Sequence, residues 1–433
     1  MTSTESTPST TGKCPVSHIG ESFDPLAANE MYEFYAKARK EEPVFYSPQL
    51  DMWVVTRYDD ILQIMQDTET FSAANVLELY QVPCEAALNI VGSSGVKIAP
   101  SLVDEDPPVH TRHRQALRRP FTPERVKTLE PMIREFVADK IDGFIKRGEA
   151  DLIDDFMYEV PALVLFRMMG IPDSDVPITK QFIKRLAVFG FGFPDEEEQV
   201  EQAQNLADYW GYIKGHIERL LANPGDDVMS QFIAQLQLPK NSDLWDQDYV
   251  QTIMMQLTFA GQETTVNASG GMYRALLENR EQWELLCADP SLVPNAVEES
   301  LRFYTPVPQW KRITTKATTL GGVDLPAGQR LLIALGSGNH DDAAFDDGDR
   351  FDIRRDNANK HMAFGWGRHR CLGEGVARLE MRIALEETVR RLPHMRLVPG
   401  QNWEFSPNIG HRGPEHVHVT WDPAANPVPA DRP

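Results

Sequence analysis

The chain has 433 residues, of which 42% are hydrophobic and 25% charged; this is ordinary globular composition, and no uncharged apolar stretch is long enough to span a bilayer. The length exceeds the usual single core and by itself allows either two or three domains or one large unit. A formal charge of -21 disfavours non-specific attraction to nucleic acid or anionic membrane, so any basic surface must be local.

Residues 1–21, opening Met1-Thr2-Ser3-Thr4-Glu5, lack the basic and apolar regions of a signal or anchor and read as a disordered tail, with a cytoplasmic location expected. Cys14-Pro15 within it is a bare dipeptide and is given no role. Cys14, Cys84, Cys287 and Cys371 show no paired spacing, which argues against a disulfide framework and for a reducing compartment. Further on, Pro43-Val44-Phe45-Tyr46 and Met52-Trp53-Val54-Val55 suggest a small hairpin. From Asp106 the pattern turns helical: Asp106-Pro107 and Thr122-Pro123 each place a capping acceptor before a proline suited to the first helical position.

Around these starts, Arg112, His113, Arg114, Arg118, Arg119, Arg125 and Lys127 form a local basic stretch. If it shares a side with Arg368 and Arg370 it can dock an acidic electron donor; otherwise it is a solvated helix face. Helical periodicity covers about 130–148, 160–192, 198–222, 247–283 and 294–303, with strand-like pieces around 311–333 and 395–421. No repeat and no linker divides the middle, so residues 22–423 read as one unit followed by a tail over 424–433.

Within the helical stretch lies Ala260-Gly261-Gln262-Glu263-Thr264-Thr265. Gly261 is unfavourable inside a helix and Thr264 can turn its hydroxyl onto a preceding carbonyl, so the local hydrogen bonding is expected to open into a groove. An acid beside an alcohol is what proton delivery needs, with Glu263 supplying and Thr264 relaying. Glu299-Ser300-Leu301-Arg302 pairs opposite charges three residues apart on a helix, and as a bare pair it would be an ordinary surface contact. His110 and Arg114, four apart, share a helix face and can grip an anionic group together. Phe364-Gly365-Trp366-Gly367-Arg368-His369-Arg370-Cys371-Leu372-Gly373 delivers a single thiol where a helix is expected from Leu372. Main-chain N-H groups and the helix end should favour its thiolate. One anionic sulfur on haem iron suits cleavage of an O-O bond. A zinc site using His369 and Cys371 lacks a second ligand cluster nearby.

Phe364, Gly367, Cys371 and Gly373 reproduce the haem-binding signature Phe-x-x-Gly-x-x-x-Cys-x-Gly, and together with the 260–265 segment they resemble the cytochrome P-450 monooxygenases. The resemblance covers about residues 22–423 and implies the cytochrome P-450 fold, mainly α with a small β-rich part, holding haem b. It implies Cys371 as the iron ligand and Phe364, Gly365, Ala260 and Gly261 as residues against the haem. His110, Arg114, Arg312 and His369 would hold the propionates, with Thr264 and Glu263 catalytic; many members carry Asp at the place of Glu263. Glu299, Arg302 and Arg355 would form a structural network that locks the cysteine loop. His340, in Asn339-His340-Asp341, stands where an arginine is common, with an expected effect on stability.

Pro43-Val44-Phe45-Tyr46-Ser47-Pro48, Val55-Thr56-Arg57-Tyr58-Asp59-Asp60 and Arg412-Gly413-Pro414-Glu415-His416 resemble the haem domains of self-sufficient bacterial P-450s fused to a flavin and iron-sulfur reductase. No reductase follows Pro433, so electrons are expected from a separate ferredoxin and its NAD(P)H-dependent reductase. Phe189-Gly190-Phe191-Gly192-Phe193-Pro194 is either a mobile lid or a packed helix end, and Val307-Pro308-Gln309-Trp310 lies where relatives line the pocket. The implied activity is monooxygenation of a small or medium apolar or aromatic molecule by hydroxylation or O-, N- or S-dealkylation. A hydrogen-peroxide-driven peroxygenase is the alternative, against which the intact Glu263-Thr264 pair weighs. A haem sensor or electron carrier would have no use for residues 260–265.

Overall fold

The computed structural model describes residues 18–27, 29–183 and 186–427; Cys14-Pro15 and most of the expected N-terminal tail lie outside the described residues. Within that tail, His18–Glu21 form a helical turn with Ile19 buried, and at the other end Pro423–Ala425 make an exposed turn of helix.

Helices dominate, and their ends follow local chemistry. Asp246 accepts the N-H groups of Asp248 at 2.8 Å and Tyr249 at 3.4 Å, which starts the long helix Gln247–Glu278. Asn279 stops it, its side-chain amide donating to the Ala275 carbonyl at 2.8 Å, so the helix expected over 247–283 divides and Arg280–Ala288 follows separately. The helix expected over 160–192 is likewise broken after Met168, and helix resumes at Val176, described over Val176–Ile183 and Leu186–Phe191. Gly170, at φ +72, and Pro172 interrupt it. Thr122-Pro123 opens a helix as expected, Pro123–Lys127, but Asp106-Pro107 does not. Pro107 and Pro108 carry no N-H for the Asp106 side chain to cap. Its carboxylate instead accepts from the Ser72 hydroxyl and, at 3.1 Å, from the Ala73 N-H, and the helix begins at Val109.

The long helix is buried on almost every side, with Ile253, Met254, Thr258, Val266 and Met272 all inaccessible or nearly so. It packs against Glu159–Met168, Glu196–Ala222 and Val293–Phe303, and forms the axis of the principal core. The β-rich part is a sheet in the order Val44–Ser47, Met52–Val55, Arg330–Ile333, Trp310–Thr314, Phe71–Ser72. The expected hairpin is its edge, with Val44 opposite Val55, and it joins the rest through the parallel pairing of Trp53 with Leu331. A second sheet places His418–Thr420 between Glu149–Asp151 and Arg396–Leu397. Among the described residues no helix is long and apolar enough to cross a membrane.

Glu299 and Arg302 are fully buried and 2.7 Å apart, and Arg302 also donates to the carbonyls of Asn339 and Gly348 at 2.7 Å and of Arg350 at 3.0 Å. Arg355 reaches Glu299 at 3.3 Å and binds the Asp346, Asp347 and Arg350 carbonyls, so the network pins residues 339–355. From there Asn339 Oδ1 accepts the Met362 N-H at 2.7 Å, which fixes the entrance of the cysteine loop. His340 rejoins this network rather than leaving a gap. Burial lowers its pKa, yet its Nδ1 faces Asp349 Oδ1 and its Nε2 the Phe303 carbonyl, both at 2.9 Å. Since burial prevails over the Asp349 hydrogen bond, the ring favours its neutral form, and a polar bridge rather than a fixed cation stands where the arginine is absent.

Candidate functional site

The cysteine loop is shaped by two glycines. Gly365 at φ +67 and Gly367 at φ +68 adopt left-handed backbone, and a Cβ on Gly367 would lie 2.7 Å from the Met65 carbonyl oxygen. The Gly365 N-H closes a turn on Met362 O and the Cys371 N-H bonds Phe364 O, both at 2.8 Å. The following helix starts at Glu374, not Leu372, with Gly373 before it. Glu298, the neighbour of Glu299, secures both ends of this unit: its carboxylate takes His361 Nε2 at 3.1 Å and Arg378 Nε at 2.6 Å. Since His361 Nδ1 accepts the Ala363 N-H at 3.1 Å, Nε2 carries the proton that Glu298 receives. Burial alone would raise the Glu298 carboxyl, but the His361 and Arg378 hydrogen bonds prevail and hold it at about 2.

Cys371 has an accessible side chain although protein encloses it on all sides, the condition of a residue on the floor of an interior cleft. Its thiol departs from expectation. Burial pushes its pKa up, and the Gly373 N-H, Arg114 and Arg378, which pull it down, do not overcome that and the nearby Glu374. A cation at the sulfur would reverse the balance, as metal coordination deprotonates a thiol outright.

Basic groups from separate segments converge beside the loop. The His110 and His369 rings lie 4.2 Å apart between centroids. Arg114 donates to the Arg370 carbonyl, and Arg312, from the first sheet, donates to the Lys311 carbonyl at 2.7 Å. Both His110 ring nitrogens and His369 Nε2 are buried without a hydrogen-bond partner, and neither Arg114 nor Arg312 has an ion pair among the described residues. Burial, then the Arg114 and Arg368 charges, lowers His110 to about 4; burial, then Arg312 and His110, lowers His369 to about 3. Burial brings even Arg312 down to about 10, against the pull of Asp106. Such a cluster is short of negative charge and fits a ligand that brings carboxylates.

Residues 99–102 connect this cluster to the long helix. His369 Nδ1 lies 3.3 Å from the Leu102 carbonyl, the Ser101 hydroxyl donates to Gln256 Oε1 at 2.6 Å, and the Ala99 N-H donates to Thr252 Oγ1 at 3.1 Å. One turn beyond Gln256, Ala260 is exposed in the middle of this largely buried helix. Thr264 and Thr265 donate to the Ala260 and Gly261 carbonyls at 2.6 and 3.0 Å, the expected back-bonding. The helix nonetheless runs unbroken through 260–265, so the expected opening of its hydrogen bonding is not present. Gly261 has a packing reason: a Cβ there would meet both Leu165 methyls at 3.0 Å.

Glu263 is partly accessible within the interior. Burial raises its pKa and the Glu415 charge adds to this, while Asn267, donating at 3.3 Å, opposes. The group is therefore suited to holding a proton. Asn267, four residues on in the same helix, is reachable from local spacing, whereas Glu415 is not; the C-terminal loop brings Glu415, and Gly413 allows it, since a Cβ there would strike Asn267 Cα at 2.4 Å.

The same loop completes an aromatic wall. Phe191 stacks on Trp310 at 6.0 Å, and His411 meets Phe191 at 4.9 Å and Phe259 of the long helix at 5.3 Å, both edge-on. His411 is buried with Nδ1 unpartnered, and burial lowers it to about 4, so the ring is neutral. The 189–194 segment is a docked helix end, with the Phe191 carbonyl accepting the Ile409 N-H at 2.8 Å.

The basic stretch splits by partner. His113 is buried against Glu105 at 2.8 Å, Arg112 pairs with Asp243 and Arg125 with Asp226. Arg118, Arg119, Lys127 and Arg368 are exposed and without ion pairs among the described residues. Val126 lies 3.5 Å from where a Gly375 Cβ would stand, so the Pro123–Lys127 helix abuts the first turn after the cysteine.

The family model described as Cytochrome P450 matches residues 287–402. Cytochrome P450 107B1 of Saccharopolyspora erythraea is 34% identical over 406 residues, which span 92% of this chain and 96% of that protein. The crystal structure of the Tepidiphilus thermophilus P450 heme domain superposes with a TM-score of 0.90 at 40% identity, covering 94% of this chain and 99% of that one. An intact type IV self-sufficient cytochrome P450 monooxygenase gives a TM-score of 0.92 at 41% identity over 96% of this chain and 54% of that longer one.

Proposed function

The chain belongs to the cytochrome P450 family of haem-dependent monooxygenases, and we propose that it inserts one oxygen atom of O2 into a small or medium aromatic or aliphatic molecule, by hydroxylation or heteroatom dealkylation, in the cytoplasm. When bound, haem b with a thiolate ligand supplies cleavage of the O-O bond. Cys371 would be the iron ligand; His110, Arg114, Arg312 and His369 would hold the propionates. The observation that carries this reading is the accessible thiol enclosed by protein beside buried basic groups that lack carboxylate partners. Glu263 holds a proton on its carboxyl, and the Thr264 hydroxyl, oriented by the Ala260 carbonyl, passes it into the cleft. Phe191, Phe259, Trp310 and neutral His411 would select a flat apolar substrate and keep water from it.

Electrons would come from a separate ferredoxin and its NAD(P)H-dependent reductase, docking on the exposed Arg118, Arg119, Lys127 and Arg368. Turnover of a methoxy-aromatic with a surrogate ferredoxin should show a KM for the ferredoxin about tenfold higher in Arg118→Glu/Arg119→Glu at low salt, the difference shrinking as salt rises. Equal turnover with hydrogen peroxide alone, together with indifference to those charges, would favour the peroxide-driven alternative.

A further inference from the structure

We infer that the outer face of the second sheet carries a divalent transition-metal site of the zinc class, built from Asp151, His416 and His418. Alternation along the last strand, His418–Thr420, and the two residues leading into it sets it up: Val417 and Val419 are buried in the core, while His416 and His418 keep their exposure on the other side. The neighbouring strand pairs antiparallel, with Asp151 directly opposite His418. The two imidazoles lie nearly parallel, 5.4 Å apart at 8°.

The carboxylate is already fixed. Asp151 Oδ1 accepts the N-H groups of Ile153 and Val417, both at 3.0 Å, which leaves Oδ2 to face Nδ1 of His416 at 2.6 Å and Nδ1 of His418 at 4.0 Å. All three potential ligand atoms lie within 4.8 Å of one another. Metal bonds of about 2.0–2.2 Å in a tetrahedral site require ligand atoms roughly 3.3 Å apart. The two separations straddle that value, and the rings, 43% and 51% exposed, are free to make the small rotation that equalises them. Asp154 Oδ2, 3.9 Å from His416 Nδ1, or water would complete the shell.

Two imidazole nitrogens with one carboxylate oxygen suit Zn2+ and its neighbours; Mg2+ and Ca2+ prefer oxygen alone. A metal here would clip the C-terminal strand to Glu149–Asp151, and that strand continues from the loop carrying His411 and Glu415.

Equilibrium dialysis of the haem-loaded protein against Zn2+ alone should find a site that His416→Ala or His418→Ala weakens at least tenfold, and that Mg2+ does not fill. Free Zn2+ at about one hundred times its dissociation constant should raise the melting temperature by roughly 3 °C, and only when both histidines are present. The carbon-monoxide spectrum of each variant, unchanged, would show that the fold and Cys371 are not the source of the difference. Unaltered Zn2+ affinity in the His416→Ala/His418→Ala double variant, or no binding by the parent protein at millimolar Zn2+, would overturn the site.

Discussion

Arg302→Met should lose about 3–5 kcal/mol of stability and retain haem poorly. Removing the guanidinium takes the main counter-charge from the Glu299 carboxylate, which is 0% exposed, strips the Arg302 donor from the Asn339 and Gly348 carbonyls, and leaves the Arg350 carbonyl to Arg355 alone. The Asp352 N-H at 2.9 Å and Arg355 at 3.3 Å still reach Glu299, so the charge is weakened in its setting and not abandoned. Since domains are stable by only about 5–15 kcal/mol, the loss is a large share of the total. The urea midpoint for loss of the haem absorbance would measure it. Glu299→Gln combined with Arg302→Met should recover part of the deficit, because the unpaired charge is gone. A midpoint unmoved in the single variant would show that the network does not hold residues 339–362.

Thr264→Ala should lower the product-forming rate about 100-fold, near the lower end for a positioned proton donor, while NAD(P)H oxidation continues and hydrogen peroxide accumulates. Among the described residues the side chain bonds only the Ala260 carbonyl of its own helix, at 2.6 Å, so its loss should cost little stability. That separates a proton role from a structural one. Thr264→Ser should restore most of the coupling. Glu263→Gln removes the carboxyl proton while preserving size, and should slow turnover without changing substrate affinity. The pH dependence has a defined sign: burial and Glu415 raise the Glu263 pKa, so its proton is present at low pH and lost as pH rises through that raised value. The alkaline limb of the parent's profile should therefore flatten in Glu263→Gln. Undiminished coupling in Thr264→Ala would remove this hydroxyl from the mechanism.

Much of the site was legible because its information is local. The glycine turn around Cys371, the Glu263-Thr264 pair and the Glu299-Arg302 pair each occupy a few adjacent residues whose spacing already limits what they can do. Helical spacing pairs His110 with Arg114, but its meeting with His369, far away in the chain, was reachable only through the family resemblance, and their rings lie 4.2 Å apart. What stayed hidden depends on packing between distant segments. Glu298 gives no sign in its own helix that it will meet His361 and Arg378, and Glu415 none that it will face Glu263. Backbone dipoles are visible in a motif and desolvation is not, so the burial that opposes the Gly373 N-H at the Cys371 thiol stayed hidden. The same holds for Asp106, whose capping role depended on N-H groups that two successive prolines remove.

The most direct measurement is the absorbance spectrum of the reduced protein under carbon monoxide, compared with that of Cys371→His. The parent should show the strongly red-shifted Soret band of thiolate-ligated haem. Cys371→His should bind haem and lack that band, because imidazole supplies a ligand without the anionic sulfur. The same red-shifted band in Cys371→His, or its absence from the haem-loaded parent, would contradict the assignment of Cys371 to the iron.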